Sequence, residues 1–250
     1  VIFSLALLAK IFSDMFKILV GISMQLFNAL GELKECLVEC RKCRRLVQFR
    51  ENVLPKKKAL LEEEYWRRPV PGFGDEKAWL LILGLAPSAE GGNRTGRIFT
   101  GDASARFLFR MLHQEGFANQ PTSEAMGDGL QVKGCYITAA VKCVPPENKP
   151  TVGECDNCSV YLWNEMHLLK KLKSVLVLGR IALERYVHYV KHCGGHAPKI
   201  HFKHGAKCAI EGFPLLYMSY HPSPQNTNTG KLTEGMFAQV LREIRRDHAI

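Results

Sequence analysis

Residues 84–102 read GLAPSAEGGNRTGRIFTGD. They follow an apolar run, Trp79–Leu83, and precede ASARFLFRMLHQ, whose apolar residues recur with helical spacing. Five glycines and Pro87 fall within these nineteen residues, and no large aliphatic separates Leu85 from Ile98. Such a stretch cannot be a core element. It reads as a long loop at the carboxyl end of a buried strand, the edge where open α/β sheets keep their ligand sites. Phe99 and Asp102 close it at the mouth of the next helix.

Working outward, strands and helices alternate. WLLILG is the first strand, CYITAAVKC the second, SVLVLG the third and PLLYMSYHP the fourth. KHGAKCAIEG reads as an irregular or edge strand. Helical patterns occupy ASARFLFRMLHQ, CSVYLWNEMHLLKKL, RIALERYVHYVKHC and EGMFAQVLREIRR. The pattern predicts a three-layer α/β/α sandwich around a mainly parallel four-stranded sheet, with right-handed crossovers. One domain is expected over residues 30–250. From Leu30 a helix is expected with Leu33, Leu37, Val38 and Leu46 on one face and Cys40 and Cys43 on its second half. The segment after it offers Lys56–Lys58, Arg67 and Arg68 either as phosphate contacts or as the charged face of a solvated helix.

Residues 1–29 are apolar but interrupted by Lys10, Asp14 and Lys17, short of the roughly 18 unbroken apolar residues of a spanning helix. They read as an extension outside the domain, with a native start at Met15 or Met24; an amphipathic membrane-surface helix is the alternative.

The 250 residues suffice for a full core, and 46% hydrophobic content is ordinary for a globular domain. The charge is not: 34 Lys+Arg against 24 Asp+Glu gives +10, pointing to a polyanionic partner, nucleic acid first. Nine cysteines, without a secretory cleavage pattern, argue against an extracellular disulfide framework and for a cytoplasmic protein. Cys40-x-x-Cys43, Cys143 and Cys155-x-x-Cys158 supply thiolates from separated segments, for tetrahedral zinc or an iron–sulfur cluster. Arg41, Lys42, Arg44, Arg45 and Lys142 would favour the thiolate form. Cys36, Cys135, Cys193 and Cys208 read as inert core residues. His221, at the tip of the fourth strand, faces the same sheet edge as the glycine-rich loop. The tail behind it, with Ser223, Gln225, Asn226 and Asn228, suits a rigid loop that enters a DNA groove and donates to bases or phosphates.

Together, GLAPSAEGGNRTGRIFTGDAS, AAVKCVPPENKPT and YHPSPQNTNTGKLT resemble the family 5 (type B) uracil-DNA glycosylases, the iron–sulfur branch of that superfamily. The resemblance covers roughly Leu30 to Arg245. It implies a DNA-repair enzyme that cuts the N-glycosidic bond of uracil in double-stranded DNA, U·G mispairs included; the motifs hold no evident lysine nucleophile, so a monofunctional enzyme is expected, acting as a monomer. It implies a 4Fe–4S cluster held by Cys40, Cys43, Cys143 and Cys158, with Cys155 a bystander. It places Phe99 against a flipped base, the backbone of Leu85, Ala86 and Pro87 along the base edge, and Asp102, Asn148 and His221 as the polar catalytic groups. His221 would donate to the departing base, Asp102 would stabilise the sugar cation or orient water, and Asn148 would position water or base. Leu85 stands where related iron–sulfur glycosylases carry an acid, and Ala139 where other members carry a uracil-reading Asn. Both departures imply tolerance of other deaminated bases such as hypoxanthine. The competing readings are a non-catalytic iron–sulfur module that binds nucleic acid or senses redox state, and a zinc-stapled binding protein.

Overall fold

The computed structural model describes residues 27–55, 58–60 and 62–249. Most of the expected N-terminal extension, with both candidate start sites, lies outside them. Phe27 is already part of the fold: it is buried against the same core cluster as Leu30, Leu33 and Leu37.

The helices are α1 Leu30–Val38, α2 Arg44–Asn52, α3 Gly92–Thr95, α4 Ala103–Gln114, α5 Val152–Leu168, α6 Arg180–His192, α7 Pro224–Thr227 and α8 Glu234–Asp247. The strands are β1 Phe73–Gly74, β2 Leu80–Gly84, β3 Cys135–Ala139, β4 Ser174–Leu178, β5 Lys207–Cys208 and β6 Leu215–Ser219. They form one sheet in the order β1-β3-β2-β4-β6-β5. The four long strands are the four expected ones and pair in parallel, with Ile82 opposite both Ile137 and Leu176. Their near-continuous burial explains the unbroken apolar runs. Two antiparallel strands of two residues each extend the sheet to six, blunting both edges. The edge strand read in KHGAKCAIEG is β5; β1 carries no periodic signal at that length.

Successive side chains of a strand point to opposite faces, so the core divides in two. Leu80, Ile82, Ile137 and Leu176 pack with α4 and α8 residues such as Phe109, Phe237 and Leu241. Leu81, Leu83, Val175 and Val177 pack with Leu33, Leu37, Leu162 and Leu183 from α1, α5 and α6. This is the expected α/β/α sandwich. Among the described residues no helix is long and apolar enough to cross a membrane.

Three local expectations are corrected. The helix begun at Leu30 stops at Val38, and Cys40 and Cys43 lie in the linker to α2 rather than on a helix. The Cys40 N–H turns back to the Leu37 carbonyl (2.9 Å), and Cys43, in extended backbone, is the N-cap of α2. Next, β3 ends at Ala139, four residues before Cys143. Finally, α5 starts at Val152, because Thr151 and Glu154 form a reciprocal capping box that puts Cys155 and Cys158 inside its first two turns. The segment bearing Lys58 forms only a one-turn 3-10 helix, Lys58–Leu60, and Arg68 is paired with Glu39 (2.9 Å).

Candidate active site

The loop after β2 leaves the sheet with its backbone tied to the chain after β3: Ala140 N–H donates to Gly84 O (3.0 Å) and Val141 N–H to Leu85 O (2.9 Å). It then makes the short helix α3 and returns to α4. Arg97 pins the return, donating to Thr100 Oγ1 (2.9 Å), Ser123 Oγ (2.9 Å) and Asp128 Oδ2 (2.7 Å). Against the opposing effect of burial, the Arg97 bond and three backbone N–H groups hold the Asp128 carboxyl far below the usual carboxylate range. Phe99 follows in a left-handed conformation (φ 49°) and is buried. Its ring lies over Gly84, where any Cβ would come within 2.9 Å of it. Gly84 is therefore the residue that admits Phe99 beneath the loop.

Between this loop and the tip of β6 lies a cleft of about 730 Å³. Leu85, Ala86, Phe99, Asp102, Asn148 and His221 line it, with Ser223, Gln225 and Asn226 on the opposite wall. Residues from three separate motifs thus meet at one sheet edge. Two expected residues do not reach it: Pro87 is buried behind the loop, and Asn228 lies outside the cleft, on the exposed surface after α7. Asn226 lines the wall but also donates from Nδ2 to the His221 carbonyl (2.8 Å), holding the strand tip. Asn148 sits in left-handed backbone (φ 56°) at the exposed rim.

The Asp102 carboxylate is fixed at both oxygens. Oδ1 accepts from the Ala105 N–H (2.8 Å), capping α4, and Oδ2 accepts from the Ser88 hydroxyl. The N-cap reading and the cleft position are thus both true of one side chain. His221 is packed against Phe99 with ring centroids 5.7 Å apart and planes inclined 28°. A base sandwiched between two rings needs two stacking intervals of about 3.4 Å, so a base can lie beside this pair but not between its members. Burial lowers His221 to about 4, with Asp102 opposing, so the imidazole is neutral at physiological pH although it opens onto the cleft.

Behind the loop, Cys40, Cys43, Cys143 and Cys158 line a second, smaller cavity with Lys42, Leu46, Arg50, Lys142 and Tyr161. Cys155 is buried next to it without lining it. Burial pushes the Cys143 thiol up to about 11, opposed by Arg50. Among the described residues no three His, Cys, Asp or Glu side chains stand close enough together to hold a single metal ion. Four thiolates on one zinc would be about 3.8 Å apart. A four-iron cluster puts iron and sulfide between its ligands, and four thiols lining one cavity are the donors that such a group takes.

The cations expected around the thiols are mostly engaged elsewhere. Arg41 binds Glu51 (3.0 Å), Arg45 binds Glu154 (2.8 Å), and Lys142 is buried against Glu165 (2.7 Å). The cation that serves the thiols is Arg50, 2% exposed, which donates to Cys143 Sγ (3.0 Å) and to the Cys40 carbonyl (3.1 Å). Sequence reading missed it because it follows four other basic residues within positions 41–50. Ser88 and Asn93 were missed as well; no motif logic singles out a serine or an asparagine inside a polar loop. Of the four cysteines expected to be core, only Cys135 is buried; Cys36, Cys193 and Cys208 are partly exposed.

The class of protein is a DNA glycosylase: with Asp102 and His221 lining one cleft at the sheet edge, the family profile of the uracil DNA glycosylase superfamily matches residues 71–245. The chain belongs to that superfamily, in its type-5 family. It is 48% identical over 212 residues to the type-5 uracil-DNA glycosylase of Thermus thermophilus, covering 85% of this chain and 95% of that protein. It is 44% identical over 211 residues to the type-5 enzyme of Pyrobaculum aerophilum (84% and 90% covered). Against the type-5 enzyme of Mycobacterium tuberculosis it is 42% identical over 221 residues (88% and 82%).

Proposed function

We propose that the cleft receives a uracil flipped out of DNA and hydrolyses its N-glycosidic bond, leaving an abasic site. The observation that carries this reading is the convergence of Phe99, Asp102 and His221 on one cleft at the carboxyl ends of β2 and β6. The type-5 relatives named uracil-DNA glycosylases support the same activity and substrate.

Bond cleavage gives the sugar oxocarbenium character and leaves negative charge on the base. A neutral imidazole retains one N–H to donate. His221, kept neutral by burial, gives that hydrogen bond to the base as its charge develops, an effect worth roughly 3 kcal/mol in comparable anion holes. Asp102, at the amino end of α4, presents a carboxylate that stabilises the sugar cation or orients the attacking water. Asn148, at the rim, holds water or base. No lysine is among the described residues that line the cleft, which supports base release without strand nicking.

Flipping costs a few kcal/mol, least for a mismatched pair, so U·G is the preferred substrate. Ser223, Gln225 and Asn226 contact the strand beside the vacated position. Leu85 offers the cleft only an apolar side chain, and Ala139 is buried in the core. Recognition therefore rests on stacking and backbone contacts, which tolerate hypoxanthine. Cys40, Cys43, Cys143 and Cys158 would hold a 4Fe–4S cluster, whose contribution is to brace the chain behind the loop.

The test is a set of end-labelled oligonucleotides carrying U·G, U·A, hypoxanthine·T or single-stranded uracil. Base release from U·G, seen as strand cutting only after hot alkali, is expected first and fastest. No release from U·G overturns the proposal.

A further inference from the structure

We infer that Ser88 is a positioning residue for Asp102, an inference that rests on the glycosylase reading above. An aspartate turns about its last side-chain bond in a broad, two-fold well. One hydrogen bond leaves that rotation open; two bonds to different oxygens close it. The helix cap supplies the first, from Ala105 N–H to Oδ1 (2.8 Å). Ser88 Oγ supplies the second, donating to Oδ2 from across the cleft wall that both residues line. The remaining lone pairs of the carboxylate, which has about four acceptor positions, are left for the cleft. The loop is shaped around this pair. A Cβ at Gly91 would overlap the Ser88 hydroxyl and come within 2.5 Å of Asp102 Oδ2. The Ser88 carbonyl in turn accepts the Asn93 N–H (3.0 Å), which fixes the backbone that carries the hydroxyl.

Ser88 thus holds the Asp102 carboxylate in one orientation toward the place where the sugar cation forms. Glycosylase kinetics on a U·G duplex test this with four proteins: wild type, S88A, D102A and the double variant. Removing a hydrogen bond to a charged group leads us to expect S88A to lower kcat about tenfold, with KM within about twofold. In the D102A background the same change is expected to cost less than about twofold, because the group it acts through is gone. Unchanged kcat in S88A overturns the inference, and so do losses that multiply in the double variant. Wild type inactive on U·G would instead refute the function itself, so the two failures are distinct. Cooperative melts with native far-ultraviolet circular dichroism in all four proteins exclude misfolding as the cause, the two that lack Asp102 melting somewhat lower for want of the α4 cap.

Discussion

Ala86 stands between two cavities: it lines the cleft on one side and packs against Leu46, Val141, Cys143 and Cys158 on the other. The two sides are built differently. In the cleft, polar side chains are held by neutral or single-charge hydrogen bonds from loop residues and stay open to solvent. In the cysteine cavity, thiols and one guanidinium are taken out of water, and Arg50 Nε has no partner among the described residues. Burying such groups is costly unless something binds them. Each side also leans on the other. Asp102 is held by Ser88, the Ser88 carbonyl by Asn93, and Asn93 Nδ2 donates to the Arg50 carbonyl (3.1 Å), while Arg50 reaches Cys143. A series of hydrogen bonds through Ser88, Asn93 and Arg50 joins the Asp102 carboxylate to the thiols. The role proposed for the cavity is to brace the cleft.

If so, damage to the cavity has the largest effect. Binding energy at a structural metal centre is folding energy, so C143S or C158S is expected to abolish iron and sulfide content and to eliminate U·G activity with it. C155S, next to the cavity but not lining it, should keep both. Full iron content in C158S together with its loss in C155S would reassign the ligand.

Damage confined to the cleft should leave the brace intact. D102A and H221A are each expected to lower kcat about 10²- to 10³-fold, the usual loss when one transition-state contact is removed. DNA affinity and iron content should stay near wild type, while D102A also loses the α4 cap and about 1 kcal/mol of stability. Unchanged rates in both variants would remove these residues from the mechanism; lost iron would show that the two regions are not separable in this direction.

The chain between the regions should give an intermediate effect. Asn93 is fully buried, and N93A strands the Arg50 carbonyl, at about 1–3 kcal/mol of stability. Because Asn93 N–H to Ser88 O is a backbone bond, the expected rate loss is smaller than that of D102A. Denaturant melts and kcat for this one variant measure the coupling; wild-type values in both would cut the proposed link.

The four long strands, the two-sided core and the placement of the cleft were legible because each rests on local pattern: unbroken apolar runs for doubly covered strands, and glycine with proline for the loop. Phe99, Asp102 and His221 were found because each sits at the end of such a pattern. The break at Glu39–Cys43 was missed although Leu46, nine residues after Leu37, falls half a turn away from the face of Leu33 and Leu37, a mismatch that itself argued against one continuous helix. The early start of α5 was legible in principle from Thr151-x-x-Glu154 and was masked by the prolines before it. Ser88, Asn93 and Arg50 act through contacts with residues 5 to 93 positions away, and no single-chain periodicity encodes those.

The smallest effect separates the two regions by pH. His221 has an ordinary value near 6.5 and is lowered by burial to about 4 in the folded protein. Between these values the unfolded chain binds the proton and the folded one does not, so stability rises with pH across that window. The contribution of a neutral, buried His221 is fully present above about pH 6.5 and is lost as pH falls toward 4. H221Q has nothing to protonate there, so its unfolding midpoint should fall less than that of wild type between pH 7 and 5. The same titration bears on catalysis: the N–H donor is neutral well below neutrality, so the rate should not fall near pH 6.5, where an exposed histidine would charge. Parallel stability–pH curves for wild type and H221Q would show that the imidazole is not desolvated in the cleft, and the contrast between an open cleft and a dry cavity would then be sharper than the histidine now makes it.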